Sequence, residues 1–260
     1  RSLVGEIGKG VYGLGYAHSV RFDKYDNLWV VDKGTNSVMK FAPRDGWRVV
    51  LNLGRRPEGY DSWRLERPTQ ANARPRDGYF DGSTDVTWDA QDNIYIGDGY
   101  INSRIAKYDS HGNWLTTWGS FGSGGEHANE NPGSINNPHN IQMDAQDNLY
   151  VGDRGNRRIQ VFSPDGKFVR QLARYDAPFA RNMAFSADPD QTYIYTGYGN
   201  GIAVIDRKRM EYVGMIQAPG LDIPGHQIAT DAKGNLYITG VNLPGKANVQ
   251  RLIYKGTSAK

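Results

Sequence analysis

Three of the five histidines begin the same repeating pattern. It starts at His18 in "HSVRFDKYDNLWVVD", at His139 in "HNIQMDAQDNLYVGD" and at His226 in "HQIATDAKGNLYITG". Three neutral imidazoles around one open coordination position are typical of a catalytic zinc site. In the alternative interpretation, each histidine caps a strand end by hydrogen-bonding to backbone. A single histidine would favour that alternative, whereas three in one register favour a metal site.

The elements that position these histidines form a repeat that occurs five times. Its copies start at His18, Thr84, His139, Arg181 and His226. Each copy predicts strand, Asp/Asn/Gly turn, strand, Gly/Asn turn and strand, and stretches such as "GNWLTTWG" and "GKFVRQLA" supply a fourth strand. Four-stranded units of about 40–45 residues are typical of β-propeller blades. We therefore predict an all-β chain in which residues 1–260 form a single propeller domain, with residues 3–8 ("LVGEIG") as an extra outer strand.

The histidine register also predicts the number of blades. Innermost strands surround the axis of a propeller, and the histidines occur in the first, third and fifth repeats. In a six-bladed ring they would stand about 120° apart, whereas a five-bladed ring would make two of them neighbours. We therefore predict a six-bladed ring. Either the first blade is missing from this chain, or one blade has a sequence in which the repeat cannot be recognised.

A second register lies at the end of the second strand, where an aspartate recurs at Asp32, Asp98 and Asp153. We expect these carboxylates to brace turns by accepting backbone N–H bonds. The residues that follow them differ: Lys33 in one repeat, Gly99 and Tyr100 in the next, and Arg154 in the third. Side chains that vary where the scaffold repeats are better candidates for function.

The repeats resemble the NHL family of propellers. The stretches "IYIGDGYINSRIAKYDSHGNWLTTWG", "NPHNIQMD", "VGDRGNRRIQVF" and "FARNMAFS" resemble the catalytic core of the peptidyl-α-hydroxyglycine α-amidating lyases, which are six-bladed. The resemblance implies that His18, His139 and His226 hold zinc. It further implies that Tyr100 is catalytic, that Arg154 has a catalytic and substrate-binding role, and that Arg181 binds substrate.

The chemistry of these residue types agrees with the implied roles. Zinc favours ionisation of a substrate hydroxyl, because the cation stabilises the resulting negative charge. Tyr100 could take the hydroxyl proton, and Arg154 could hold a carboxylate in a bidentate bond. The implied reaction breaks the C–N bond of an α-hydroxyglycine in a peptide or small molecule and releases an amide and glyoxylate.

Several positions depart from the family pattern. The family's first blade, which contributes another site arginine, has no counterpart here. Gln227 replaces an aspartate that helps to bind a structural calcium, and Val20 matches a residue that offers calcium its backbone carbonyl, so calcium stays an open second cofactor. Gly225 replaces the proline before the third histidine, and Ile101 replaces a disulfide cysteine.

Two other functions stay open. A non-catalytic NHL propeller would bind a protein, or less favourably RNA, through one rim. Its contact surface would be the Arg-rich insertion at residues 55–76, with Tyr60, Trp63 and the neighbouring Tyr79. The net charge of +3 among 59 charged residues argues against a nucleic-acid protein. A calcium-dependent lactonase would need carboxylates and amides at the channel mouth, where the register offers histidine, threonine and arginine instead.

Composition sets the remaining expectations. The 260 residues include 32 Gly and 16 Tyr, which favours short strands and tight turns over helices. The absence of cysteine excludes disulfides and thiolate metal ligands. No apolar run approaches the roughly 18 residues of a membrane span. The chain begins at Arg1 without methionine, from which we predict a processed, exported protein of the periplasm or extracellular space. His111 and His127 are predicted to lie on the surface.

Overall fold

The computed structural model describes residues 5–11, 14–56, 68–122, 131–174, 176–221, 225–240 and 249–256. The chain divides into two compact units. The first comprises Arg1–Phe121 with Ser134–Pro138, and the second comprises Gly122–Gly133 with His139–Lys260. Tyr60, Trp63 and His127 lie outside the described residues, so the predictions about them stay predictions.

The first unit contains two four-stranded antiparallel sheets, each a simple meander. One consists of β1 (Ala17–Phe22), β2 (Leu28–Asp32), β3 (Ser37–Ala42) and β4 (Arg48–Gly54). The other consists of β5 (Ser83–Trp88), β6 (Ile94–Asp98), β7 (Arg104–Tyr108) and β8 (Trp114–Trp118). The short β9 (Ser120–Phe121) pairs in parallel with β10 (Ser134–Ile135).

The second unit contains three sheets of the same meander type. They are β11 (Pro138–Met143), β12 (Leu149–Asp153), β13 (Arg158–Phe162) and β14 (Phe168–Ala173); β15 (Ala184–Phe185), β16 (Tyr193–Tyr198), β17 (Gly201–Asp206) and β18 (Glu211–Ile216); and β19 (Gln227–Thr230), β20 (Leu236–Thr239) and β21 (Val249–Leu252). The described helical segments are three short 3-10 turns, at Pro43–Asp45, Gln70–Asn72 and Arg154–Asn156. The prediction of an all-β propeller is confirmed, and the described strands form the five blades that correspond to the five legible repeats.

The first hairpin of most blades is fixed by the aspartate that ends the first strand. Asp23 accepts backbone N–H bonds from Tyr25 at 2.9 Å and Asn27 at 3.0 Å, and its other oxygen accepts the indole N–H of Trp29 at 2.9 Å. The turn needs one residue in the left-handed region, with φ of 62° at Asp26, 65° at Asp92, 60° at Asp147 and 78° at Gly234. Asp, Asn and Gly tolerate that region best, which is why the repeat reads "D-x-x-D/G-N".

Apolar side chains that alternate along the strands pack between neighbouring sheets. In the first unit the largest cluster joins Trp29 and Val31 of one blade to Val86, Ile94 and Ile96 of the next. In the second unit an equivalent cluster contains Tyr150, Ile159, Met183, Ile194 and Ile205. Each blade therefore buries its apolar face against the next blade within its unit.

Two of the three aspartates that end the second strands, Asp32 and Asp98, brace turns as predicted, whereas Asp153 accepts the side-chain bonds of Asn156 at 2.8 Å and Arg158 at 2.7 Å. Asp32 accepts the N–H of Thr35 at 2.8 Å on one oxygen and that of Tyr16 at 2.9 Å on the other. Asp98 accepts the N–H of Asp81 at 2.8 Å. These carboxylates are completely buried, so each ties a loop to the end of its own strand.

The prediction of an outer strand over residues 3–8 is wrong for residues 5–8, the part of it that the structure describes. Residues 5–8 form no strand. Ile7 and Val11 instead pack against a buried cluster formed by Val30, Met39 and Phe41. Burial of two apolar side chains, rather than pairing with a strand edge, fixes this segment. No helix in the described part of the chain is long and apolar enough to cross a membrane.

Candidate metal and catalytic site

His18 lies in the first unit, at a β-bulge of the innermost strand. The pairing of β1 with β2 shifts register between Ala17 and Ser19, so His18 has no directly opposed partner. Bulges commonly re-aim a side chain next to a functional site. His18 Nδ1 lies 2.7 Å from the carbonyl oxygen of Thr84. A carbonyl only accepts, so Nδ1 carries the proton, and in the neutral ring Nε2 keeps its lone pair.

His139 repeats this arrangement in the second unit. Its side chain is completely buried, and its Nδ1 lies 2.7 Å from the carbonyl oxygen of Arg181. The same reasoning leaves Nε2 as the unprotonated nitrogen. Both acceptors are the residues that begin the following repeat, Thr84 and Arg181. A ring N–H held by a backbone carbonyl is the arrangement that usually orients histidine ligands of metals.

His226 lies beside His139 in the second unit. The two ring centroids are 5.0 Å apart with an interplanar angle of 77°. Its backbone N–H donates to Thr239 O at 2.6 Å, which places it at the entry to β19. Gly225 before it has a φ of 62°, and a Cβ there would lie 2.6 Å from Ile238 Cγ2. Proline cannot adopt that φ, so this backbone differs from one with proline before the histidine.

Within the second unit His139 and His226 thus lie side by side, and the first unit offers His18 at the same position of its repeat. These three histidines could hold a metal ion. Three imidazoles suit zinc and leave a coordination position for a substrate atom.

The described residues do not fit the calcium that the family resemblance implies. Calcium prefers six to eight oxygen ligands, usually with several carboxylates. Gln227 offers an amide, and its Oε1 accepts the Asn140 side-chain amide at 3.2 Å. In the first unit Asp85, at the same position of its repeat as Gln227, already binds Arg21 at 2.7 Å and Ser19 at 3.0 Å.

Tyr100 reaches the His18 imidazole within the first unit. Its hydroxyl lies 3.2 Å from His18 Nε2, and the rings meet edge to face with centroids 5.5 Å apart. The backbone N–H of Tyr100 donates to Gly82 O at 3.0 Å. A Cβ on Gly82 would lie 2.5 Å from Tyr100 Cβ, so this close approach requires glycine. The sequence marked Lys33 as a varying position without assigning it a role, and its Nζ lies 3.5 Å from the centroid of the Tyr100 ring.

The two predicted arginines lie in the second unit. Arg154 opens the 3-10 turn Arg154–Asn156 directly after β12, and it is half-buried. Arg181 lies in the loop before β15 and is also half-buried. The sequence predicts that Arg181 binds substrate. In the structure its backbone carbonyl accepts a hydrogen bond from His139 Nδ1 and so orients that ring. His111 is exposed, as predicted.

Known proteins with similar sequences include amidating enzymes and an NHL-repeat protein. Mouse peptidyl-glycine α-amidating monooxygenase is 33% identical over 179 residues, which are 68% of this chain and 16% of the relative. A probable peptidyl-α-hydroxyglycine α-amidating lyase of Caenorhabditis elegans is 28% identical over 166 residues, 63% of this chain and 41% of the relative. Mouse NHL repeat-containing protein 3 is 35% identical over 144 residues, 54% of this chain and 36% of the relative.

The chain thus spans between about a sixth and two fifths of the length of these relatives. No protein-family model matches it. Solved structures match at the level of the fold. A streptogramin B lyase has a TM-score of 0.53 at 14% identity, covering 92% of this chain and 68% of that one. A virginiamycin B lyase of Staphylococcus aureus has a TM-score of 0.55 at 10% identity, covering 93% and 71%.

The repeats, the histidine group and these matches lead to one statement: the chain is a β-propeller whose homologues are peptidyl-α-hydroxyglycine α-amidating lyases and NHL-repeat proteins.

Proposed function

We propose that the protein is a zinc-dependent lyase that cleaves the C–N bond of an α-hydroxyglycine at the end of a peptide or small molecule. The products are an amide and glyoxylate. The observation that carries the proposal is the pair formed by His139 and His226, whose ring centroids are 5.0 Å apart, and we propose that His18, at the same position of the first repeat, completes the zinc site. In two of the three rings a backbone carbonyl fixes the proton on Nδ1, which leaves Nε2 for the metal.

Tyr100 is the proposed proton carrier. Zinc, when bound, would stabilise negative charge on the substrate hydroxyl oxygen. The Tyr100 hydroxyl lies 3.2 Å from the His18 nitrogen that would bind the metal, so it lies beside the metal position. In its phenolate form, Tyr100 accepts the hydroxyl proton while the hydroxyl oxygen forms the aldehyde C=O bond and the C–N bond breaks. The same proton then passes to the departing amide nitrogen, so the reaction needs no oxidant and no water.

The substrate's carboxylate requires a cation, and Arg154 and Arg181 are the proposed partners. A guanidinium binds a carboxylate in two parallel hydrogen bonds, which fixes its orientation as well as its charge. Both side chains are half-buried in the second unit, where partial desolvation strengthens such a bond. We propose that Arg154 holds the carboxylate during catalysis and that Arg181 contributes to binding.

Elemental analysis together with a glyoxylate assay tests the proposal. The purified protein should contain stoichiometric zinc and should convert N-benzoyl-α-hydroxyglycine into benzamide and glyoxylate. His139→Ala should lose both zinc and activity, and Tyr100→Phe should keep zinc while losing activity. His111→Ala is the matched control, because His111 is exposed and hydrogen-bonds only locally, to Ser110. A protein without zinc that releases no glyoxylate would refute the lyase proposal.

A non-catalytic role in binding a protein partner is the second candidate, favoured by one described surface of the first unit. The Arg76 guanidinium lies 4.3 Å from the ring centroid of Tyr79, and Arg55 Nη1 donates to the Tyr79 hydroxyl at 3.3 Å. Such a stack of aromatic and cationic groups would suit an acidic protein surface better than a nucleic acid, given the small net charge. Under this proposal, replacing Arg55 and Arg76 abolishes partner binding and leaves zinc content unchanged.

The wider architecture is also a proposal. We propose a six-bladed ring that forms one domain with residues 1–260. Two observations support it. The histidines occupy alternate repeats, and Val20 and Phe22 on the innermost strand β1 are each 61% exposed, as expected of a face that another blade covers. A crystal structure of the full natural protein tests the blade count. Export stays a prediction, tested by fractionation of the source cells.

A further inference from the structure

Lys33 contacts the ring of Tyr100 within the first unit. Its Nζ lies 3.5 Å from the centroid of that ring and 5.5 Å from the centroid of the Tyr16 ring. An ammonium group within about 6 Å of an aromatic face is attracted by the ring's negative quadrupole. Lys33 is half-buried, and its ammonium lies between the rings of Tyr16 and Tyr100. The hydroxyl of Tyr100 in turn reaches His18.

The backbone around Lys33 is fixed independently of this contact. The N–H of Lys33 donates to Tyr16 O at 3.0 Å, and the N–H of Tyr16 donates to the buried Asp32 carboxylate at 2.9 Å. A Cβ on Gly34 would lie 2.7 Å from the backbone nitrogen of Tyr16, so these segments are in close contact. The base of the Lys33 side chain is thus held on the first blade, whereas Tyr100 belongs to the second.

Tyr100 makes contacts through its backbone, its hydroxyl and its ring. Its N–H donates to Gly82 O, and its hydroxyl lies within hydrogen-bond distance of His18 Nε2. A metal on that nitrogen would take the lone pair that accepts the hydroxyl. The contact between the Lys33 ammonium and the face of the ring does not depend on that lone pair.

From this geometry we infer that Lys33 is a positioning residue for Tyr100: it holds the phenol ring beside the histidine that would bind metal. The inference rests on the proposed lyase function, because only that function gives the orientation of Tyr100 a consequence for rate. Lys33 acts through Tyr100 rather than on the substrate. Its loss should therefore lower kcat and leave KM unchanged.

The kinetic experiment compares Lys33→Met and Lys33→Arg with the wild-type protein. A cation–π contact of this type is worth up to about 2 kcal/mol when partly desolvated. Lys33→Met should lower kcat for glyoxylate release about tenfold. Lys33→Arg keeps a cation that stacks on tyrosine and should restore most of the rate. Lys24→Met is the matched control, because Lys24 also lies over a tyrosine ring, that of Tyr25 at 5.2 Å, on an exposed hairpin.

An NMR experiment tests the contact without relying on activity. Ring currents should move the ε-CH₂ resonance of Lys33 upfield, and its absence in Lys33→Arg identifies the signal. The upfield shift should persist in Tyr100→Phe, which keeps the ring, and disappear in Tyr100→Leu. Equal melting temperatures of the wild-type and Lys33→Met proteins would show that the variant folds, and Lys33→Gln replaces it if it does not.

The outcomes separate the two proposals. Wild-type protein that binds no zinc and releases no glyoxylate overturns the lyase function, even where the NMR shift is present. If the wild-type protein is active, any of three results overturns the Lys33 inference. These results are a wild-type kcat in Lys33→Met, a rise in KM alone in that variant, and a Lys33 resonance that is not shifted.

Discussion

Replacing Arg21 by methionine should destabilise the first unit, because Arg21 neutralises a completely buried carboxylate. Its Nε donates to Asp85 Oδ1 at 3.0 Å and its Nη2 donates to Oδ2 at 2.7 Å. The Asp85 side chain is 0% exposed and that of Arg21 is 17% exposed. Burial opposes the charged guanidinium, but the adjacent carboxylate raises the pKa of Arg21 above its usual value, so the guanidinium stays charged.

The size of the effect follows from what remains around Asp85. Breaking a buried ion pair by removing one partner costs about 3–5 kcal/mol, since an uncompensated charge stays behind. Asp85 keeps hydrogen bonds from Ser19 Oγ and the Val86 N–H, both at 3.0 Å. Because these bonds still compensate part of its charge, we expect Arg21→Met to lower the free energy of unfolding by the lower end of that range, about 3 kcal/mol. Asp85→Asn leaves a cation that can reach water and should cost about 1–2 kcal/mol. The double variant leaves no charge and should cost about 2 kcal/mol less than the sum of the two single variants.

Urea unfolding followed by tryptophan fluorescence measures these differences, with the slope m checked for constancy. Arg209→Met is the control. Arg209 is 62% exposed and pairs with Asp206, so its loss should cost less than about 1 kcal/mol. If Arg21→Met costs no more than Arg209→Met, Asp85 is not a buried charge that needs its partner, and the reasoning fails.

Two further substitutions test the loops that carry the site. Gly99→Ala would place a Cβ 2.6 Å from Pro138 O and 2.8 Å from Thr84 Cγ2, so it should lower stability by about 1–3 kcal/mol and slow glyoxylate release, checked by thermal melting and kinetics. Tyr198→Phe removes the hydroxyl that donates to the Asp176 carboxylate and should cost about 1–2 kcal/mol in urea unfolding, whereas an unchanged midpoint would show that this bond does not brace its loop.

Features set by a single repeat were predictable from the sequence. The aspartate of each first turn and the left-handed residue three positions later appear directly in the letters, as at Asp23 and Asp26. The buried aspartates that end the second strands were predictable for the same reason. Asp32 braces a turn only three residues further on, at Thr35. Local spacing determines the contacts that Asp23 and Asp32 make within their turns, whereas the bond from Tyr16 to Asp32 also depends on the loop before the blade.

Contacts between repeats were not predictable in this way. Arg21 meets Asp85 across 64 residues, and Lys33 meets Tyr100 across 67, so both depend on how neighbouring blades pack. The sequence nevertheless held a signal for Lys33, because it follows the recurrent aspartate at a position where the repeats differ. It contained no signal for the bulge at His18, since a bulge depends on the register of two strands.

The hydrogen bonds of the histidines explain why ligand and non-ligand residues alternate along the register. His18 is oriented by the carbonyl of Thr84, and His139 by the carbonyl of Arg181. Each acceptor belongs to the next repeat, at the position that would otherwise hold another histidine. Because a backbone carbonyl is present whatever the side chain, that position orients its neighbour without itself being a histidine. The repeats that contribute His18 and His139 are therefore each followed by one that contributes a main-chain acceptor, and these two imidazoles are oriented without any side chain reserved for the purpose.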